Sequence, residues 1–328
     1  YKIKHENITK IWVVAPATIL YNWESQIALH SEYKSLVLSG SSKDDRMYRT
    51  LSSEYYFNII NYEALFPLLR NLGVLEKVKT KRGIKIFYGN TPIDQITYLM
   101  PDMIIFDESA RYLSSHNTER TLASITIADV AKYKLILTGT PIKNRPMGIW
   151  PQFRVLDGGK TFSNNFYKFR SFFFMKDSND PFGRFILKKD KIPALSKGIY
   201  TSCIRMKKED VLAGLPEKVF NTTFIKMSSS LEKIYKSVKK QILTEIATST
   251  VSTVLSINNA LVRSLRLQQL TAGFIVEKET GKIGILKETP KLDALIEEIE
   301  TIVEAEEYAV IWARFLPSLD IISNKLII

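Results

Sequence analysis

Apolar residues along this chain fall into short unbroken runs, and each run stops at polar or turn-forming residues. Ile11–Ala15 stops at Pro16, Leu36–Leu38 at Ser39-Gly40, and Phe57–Ile60 leads into Asn61-Tyr62-Glu63. Met103–Phe106 stops at Asp107-Glu108, and Lys134–Leu137 leads into Thr138-Gly139-Thr140-Pro141. Runs of this kind predict strands buried on both faces. The intervening stretches carry helical spacing. Leu20, Trp23 and Ile27 share one side, with Thr18 placed as a cap, and Leu122, Ile125 and Ile127 mark another helix. The polar segment 41–53 predicts a helix around Met47 and Leu51. This alternation predicts an α/β fold with a parallel, doubly wound sheet. Lys77, Lys79, Lys81, Arg82 and Lys85 interrupt it and predict an exposed basic hairpin or loop over 76–85.

The pattern changes near residue 150. Residues 153–185 are rich in Phe and Tyr at helical spacing, and 184–210 are basic, with Arg184, Lys188, Lys189, Lys191, Arg205, Lys207 and Lys208. Phe220–Met227 fits a strand. Ser229 with Glu232 forms a capping box before the stripe Leu231, Ile234, Tyr235, Val238, Ile242. Residues 251–275 predict another long helix. At Thr289-Pro290 the α/β pattern returns: a cap, a proline suited to the first helical turn, a helix and the apolar run Tyr308–Trp312. The expected divisions are 1–152 for a first α/β lobe, 153–287 for a helical insertion or linker, and 288–328 for the start of a second lobe.

Length and charge narrow the partners. The chain has 328 residues and a net charge of +12, from 46 Lys+Arg against 34 Asp+Glu. That excess favours a polyanion, nucleic acid first. One cysteine, Cys203, excludes a disulfide framework or a cysteine metal cluster and fits a reducing, intracellular setting. His5, His30 and His116 are scattered and suggest no metal site. No apolar run approaches a membrane span, so no membrane partner is expected. The chain begins at Tyr1 and ends in Leu326-Ile327-Ile328 within an apolar pattern, so a longer protein is expected.

The chemistry concentrates at Asp107-Glu108. In open α/β sheets, ligands bind at the carboxyl ends of the strands. A nucleotide site there needs one carboxylate to hold Mg²⁺ and a second to orient an attacking water. The structural alternative is an acidic helix start that suits the macrodipole.

Several segments together resemble a known family. Val13-Val14-Ala15-Pro16-Ala17-Thr18-Ile19-Leu20-Tyr21-Asn22-Trp23 resembles motif Ia of Swi/Snf-type ATPases, the chromatin-remodeller-like branch of superfamily-two helicases. Ile60-Asn61-Tyr62-Glu63-Ala64-Leu65 is similar to motif Ib, Asp107-Glu108-Ser109-Ala110 to the DExx box, and Leu137–Asn144 through Trp150 to motif III. Arg205–Val211 with Leu215-Pro216, Leu265–Leu270, and Pro290-Lys291-Leu292 with Trp312–Phe315 resemble later segments in the family's order.

The resemblance implies a motor with two RecA-like lobes that binds ATP and Mg²⁺ between them and moves on double-stranded DNA, where it can act on DNA-bound proteins. It implies that Asp107, Glu108, Thr138, Gly139 and Thr140 bind the nucleotide: Asp107 holds Mg²⁺, Glu108 polarises the attacking water, the hydroxyls of Thr138 and Thr140 link nucleotide to DNA, and Gly139 lets the backbone turn tightly. Pro16, Thr18, Asn22, Asn61 and Tyr62 become candidates for phosphate contacts, and Lys188, Lys189 and Lys191 for further DNA contacts. Trp23 reads as a core aromatic.

The chain also departs from the family. No glycine-rich Lys-Ser/Thr loop is present: Gly159-Lys160-Thr161 fails because the pattern's earlier glycine falls at Arg154. The arginine-finger motif is missing too, so these residues alone are expected to be inactive. Ala110 stands where the family often has histidine, so coupling is expected through Ser109, Arg111 or Thr138. The alternative function is a catalytically inactive nucleic-acid-binding scaffold of the same fold. The implied compartment is intracellular, in a bacterium, a virus-infected cell or a nucleus.

Overall fold

The computed structural model describes residues 7–38, 54–80, 83–91, 101–143, 145–178, 180, 183–211, 214, 216–248, 262, 264–277 and 281–326. They form two compact units, Tyr1–Val211 and Leu212–Ile328. The division falls inside the region 153–287 that composition set apart.

The first unit is built on five parallel strands: β1 (Ile11–Ala15), β2 (Ser35–Val37), β3 (Phe57–Asn61), β6 (Met103–Phe106) and β7 (Tyr133–Ile136), in the order β2-β3-β1-β6-β7. β1 lies at the centre, with Val13 level with Ile59 on one side and Ile105 on the other. Its five residues are all buried because both faces are covered. One face packs Trp12, Val14, Ile60, Ile104 and Phe106, and the other Ile11, Val13, Ala15, Ile59 and Ile105. Burying a side chain such as Phe106, 0% exposed, stabilises by roughly 1.5–3 kcal/mol.

The helices of this unit are α1 (Leu20–His30), α2 (Tyr62–Asn71), the short α3 (Ser109–Tyr112), α4 (Glu119–Val130), α5 (Ile149–Asp157), α6 (Phe166–Phe173), α7 (Ile192–Thr201) and α8 (Lys208–Val211). α1 buries Leu20 and Ile27 as its spacing predicts. Thr18 does not cap it; it sits in a 3-10 turn, Ala17–Ile19, that begins with the Ile19 N–H bonded to the Pro16 carbonyl. Thr118 does cap α4, accepting from the Thr121 N–H. Arg154 of α5 makes two bonds to Asp129 of α4, at 2.6 and 2.8 Å, and the pairing holds the guanidinium above its usual range.

The basic segment is an antiparallel hairpin, β4 (Leu75–Thr80) with β5 (Gly83–Tyr88). A second hairpin, β8 (Phe174–Lys176) with β9 (Phe185–Leu187), lies in the Phe-rich region, where helical spacing alone gave no sign of it.

The second unit contains α9 (Ser229–Thr248), the hairpin β10 (Phe274–Val276) and β11 (Ile283–Ile285), α10 (Pro290–Glu304) and α11 (Leu316–Leu326). Ser228 takes the capping role at α9: the Leu231 N–H reaches its hydroxyl, while Glu232 pairs with Lys236. From Val310 to Phe315 exposure alternates with the period of a strand. Ile311, Ala313 and Phe315 pack against the cluster of Phe274, Leu292, Ile321 and Ile322, while Tyr308, Val310 and Trp312 are 101, 78 and 90% exposed. They form no ladder with any described strand, and neither do residues 220–227. An extended segment becomes a strand only when a neighbour supplies hydrogen bonds. The expected helix at 41–53 and residues 251–261 and 263 of that at 251–275 lie outside the described residues; 264–271 are helical, and the helix gives way to β10 at Phe274.

Candidate functional site

All five strands of the sheet run parallel, so the ends of β1, β3, β6 and β7 fall on one edge. At that edge the backbone stitches the tips together. The Asp107 N–H donates to the Val14 carbonyl at 2.9 Å, the Leu137 N–H to the Phe106 carbonyl at 2.8 Å, and the Ser109 N–H to the Leu137 carbonyl at 3.0 Å. The acidic tip and the threonine-rich tip are therefore immediate neighbours.

Asp107 is held at three atoms. Its Oδ1 accepts the Glu108 N–H at 2.8 Å, its Oδ2 accepts the Trp23 indole N–H at 2.9 Å, and its carbonyl accepts the Tyr62 hydroxyl at 2.7 Å. The carboxylate is half-buried, and each of its oxygens keeps lone-pair capacity beyond these bonds. Glu108 is exposed and left-handed, with φ 48° and ψ 38°, uncommon for a residue with a side chain.

Among the described residues no three His, Cys, Asp or Glu groups gather as a metal cage. Mg²⁺ of the nucleotide-bound kind takes one or two carboxylates and draws its other ligands from phosphates and water. Asp107 has the free capacity to be that ligand, with Glu108 beside it.

Ser109 turns inward, fully buried, and its hydroxyl donates to Gln152 Oε1 at 3.1 Å. Gln152 Nε2 then donates to the carbonyls of Pro141 at 2.9 Å and Gly148 at 3.1 Å. Of the three coupling routes considered for the Ala110 position, this geometry joins the acidic tip to the turn after β7 through Ser109. The Thr138 hydroxyl folds back on the Thr140 carbonyl at 3.4 Å, and Gly139 and Thr140 are exposed. Gly139 lacks the positive φ that would demand glycine, and an added Cβ would meet open space.

The phosphate candidates divide. Thr18 and Asn22 are exposed and Asn61 is half-buried, all at the same sheet edge, whereas Pro16 is buried. Tyr62 needs a correction. It has no exposed surface, its hydroxyl is committed to the Asp107 carbonyl, and its ring stacks on Tyr112 at 4.5 Å and 4°. Burial, then the nearby Asp107 carboxylate, pushes that hydroxyl far above its usual range. The Tyr62 side chain thus supports Asp107 from beneath and has no free group to offer a phosphate.

The three lysines divide as well. Lys188 Nζ donates to the Ser171 and Phe172 carbonyls at 2.8 and 3.2 Å, capping the end of α6. Lys191 lies 3.3 Å from Asp190 and over the Phe172 ring. Lys189 is exposed.

Sequence reasoning missed Trp23 and Gln152 as parts of the site. Trp23 does pack on the core, but a half-buried indole N–H needs a partner, and the nearest strand tip carries a carboxylate. Gln152 was visible as a lone amide in the apolar run Ile149–Phe153.

A parallel sheet with paired carboxylates at one strand tip and a threonine-rich turn at the next is an α/β arrangement of the RecA-like kind. Residues 1–272 match the model of the SNF2-related domain, and the chain belongs to that family. An uncharacterized ATP-dependent helicase of Mycoplasma genitalium is 23% identical over 320 residues, covering 96% of this chain and 26% of the relative. The CHD3-type chromatin-remodeling factor PICKLE of Arabidopsis thaliana is 24% identical over 240 residues, covering 71% and 16%. The chain thus spans about a quarter of the helicase's length. Among solved structures, the Sulfolobus solfataricus SWI2/SNF2 ATPase core in complex with dsDNA covers 98% of this chain and 60% of its own, at 19% identity and a TM-score of 0.46. Among the described residues no helix is long and apolar enough to cross a membrane.

Proposed function

We propose that this chain supplies part of the motor of a double-stranded DNA translocase, in which ATP hydrolysis drives movement on DNA and displacement of what is bound there. The observation that carries this reading is the contact between the two tips, with the Ser109 N–H on the Leu137 carbonyl. It sets two carboxylates and the threonine turn on the sheet edge that also exposes Thr18 and Asn22. Asp107 would hold the magnesium of bound ATP, which neutralises charge on the phosphates. Glu108, free of side-chain bonds to the described residues, would orient the attacking water, so that catalysis is chiefly positioning and electrostatics. Thr138 and Thr140 flank this centre at the neighbouring tip of β7, and on its other side, after β1 and β3, Thr18, Asn22 and Asn61 would meet phosphates.

Under the same reading, residues 288–328 begin a second RecA-like lobe. Residues 308–312 would then be a strand whose ladder partners are supplied elsewhere in a longer protein.

The test uses the intact protein. ATP hydrolysis is measured with and without duplex DNA, in the native sequence and in Glu108→Gln. The expected result is DNA-stimulated turnover that the substitution abolishes while ATP still binds. Normal turnover in Glu108→Gln would remove Glu108 from its role. DNA binding without any turnover in the native protein would leave the scaffold reading.

A further inference from the structure

Trp23 stands where the two halves of the proposed function meet. It follows Asn22, an exposed phosphate candidate in the first turn of α1, and its ring packs on the core face of Val13, Ile59 and Ile105. That packing fixes the ring, so the indole N–H has a defined direction, and it ends 2.9 Å from Asp107 Oδ2. The bond bridges 84 residues of sequence.

An indole N–H can only donate. It therefore holds Oδ2 while the Glu108 N–H holds Oδ1, and each oxygen keeps lone-pair capacity for a further ligand. The Asp107 backbone cannot follow a displacement easily. Its N–H is bonded to Val14 and its carbonyl to the fully buried Tyr62. What remains adjustable is rotation of the carboxylate about the side-chain bonds. Of the two donors to that carboxylate, the Glu108 N–H belongs to the same tip, whereas the Trp23 N–H belongs to another element. A phosphate drawn to Thr18 and Asn22 acts on the 3-10 turn and the first turn of α1, where helix N–H groups and dipole favour anions. Any shift of that turn carries Trp23 with it.

We propose, resting on the translocase reading above, that Trp23 is a positioning residue which transmits DNA contact at the start of α1 to the carboxylate of Asp107. DNA occupancy and metal-nucleotide occupancy are then coupled through this bond, and the coupling is reciprocal.

The test uses Trp23→Phe in the intact protein, which keeps an aromatic ring and deletes the donor. Mn²⁺ replaces Mg²⁺ so that metal affinity can be read by electron paramagnetic resonance, in the presence of a non-hydrolysable ATP analogue. In the native protein, saturating duplex DNA is expected to change Mn²⁺ affinity by about tenfold, within the usual range for coupled sites. In Trp23→Phe the change shrinks to within about twofold, while DNA affinity measured without nucleotide stays native and the protein is still folded at the assay temperature. An equal DNA effect in both proteins overturns the proposal.

A second measurement does not depend on the variant's folding. All tryptophans of the intact protein are replaced biosynthetically by 5-fluorotryptophan, and the Trp23 fluorine signal is assigned by removing the others one at a time. Duplex DNA added without nucleotide should move that signal, and a signal that stays fixed sinks the idea. The two readings fail differently. Absence of any DNA-dependent turnover in the native protein defeats the translocase, whereas undiminished DNA stimulation in Trp23→Phe defeats only the role of Trp23.

Discussion

Tyr62→Phe removes one oxygen from the most enclosed part of the site. The hydroxyl is fully buried and donates at 2.7 Å to the Asp107 carbonyl, and the ring lies flat on Tyr112, over which Arg120 and Arg111 sit at 5.4 and 5.6 Å. Phenylalanine keeps the ring, so stacking and volume are preserved and no cavity opens. What is lost is the partner of a buried carbonyl, a deficit of about 1–3 kcal/mol. For a unit of about 200 residues each kcal/mol moves the melting temperature by roughly 2–4 °C, so a fall of about 2–12 °C is expected. Differential scanning calorimetry of the native and substituted proteins gives the fall directly. DNA affinity, measured well below the transition, should stay unchanged. An unchanged melting temperature with weakened DNA binding would refute the argument, because that is the behaviour of a phosphate contact and not of a support under Asp107.

Other substitutions probe other bonds. Asp102 takes the Thr9 N–H at 2.8 Å, the Thr9 hydroxyl at 3.0 Å and the Lys10 N–H at 3.0 Å, fastening the entry of β1 to that of β6. Burial pushes this carboxyl up, but the three bonds outweigh it and hold the folded value below the usual range. A depressed folded value means the bonds stabilise above the unfolded pKa of about 3.9 and fade as pH falls through the folded one. The melting-temperature gap between native protein and Asp102→Asn should therefore be widest near neutrality and close in acid. Gln152→Leu leaves the buried Ser109 hydroxyl without its acceptor, and adding Ser109→Ala should restore part of the stability. Denaturant melts of the single and double variants should give a coupling of about 0.5–3 kcal/mol, and strict additivity would count against the link. Lys189→Glu should weaken duplex binding and flatten its salt dependence by about one charge without lowering the melting temperature. Lys188→Glu should lower the melting temperature as well, since it removes the donor to the carbonyls at the end of α6.

Much of the fold could be read from the sequence because a parallel sheet writes itself plainly. A strand covered on both faces has no solvent side to interrupt the apolar run, so Ile11–Ala15 and Met103–Phe106 announce both their extent and their polar ends. Parallel direction then places all those ends on one edge, which is why Asp107 and Thr138 could be expected together. What could not be read was direction within a tip. Tyr62 follows a strand end just as Asn61 does, yet one ring points down into Phe106 and Tyr112 while its neighbour stays half-exposed. Strand pairing was equally hidden. Burial does alternate from Val310 to Phe315, but alternation fixes which side chains point inward and not whether a ladder partner exists. The β8–β9 hairpin lay inside a Phe-rich stretch whose spacing suits a helix, and there tertiary packing overrode local pattern.

The backbone at Glu108 explains how two adjacent carboxylates can take different work. A left-handed residue with a Cβ costs roughly 1–2 kcal/mol, and four bonds around it hold the strained turn. The Glu108 N–H reaches Asp107 Oδ1, the Ser109 N–H reaches Leu137, the Arg111 N–H reaches the Glu108 carbonyl, and the Leu113 N–H reaches the Ser109 carbonyl. The reversal sends the three side chains of Asp107, Glu108 and Ser109 apart. Asp107 faces the indole of Trp23, Glu108 stands in solvent, and Ser109 is driven into the core against Gln152. Continued strand geometry would break the Ser109 link to Leu137, and an immediate helical turn would not turn Glu108 outward from Asp107. The strain therefore sits at the one residue of the three whose carboxylate stands in solvent at the strand tip, and its neighbours on both sides supply the bonds that hold it there.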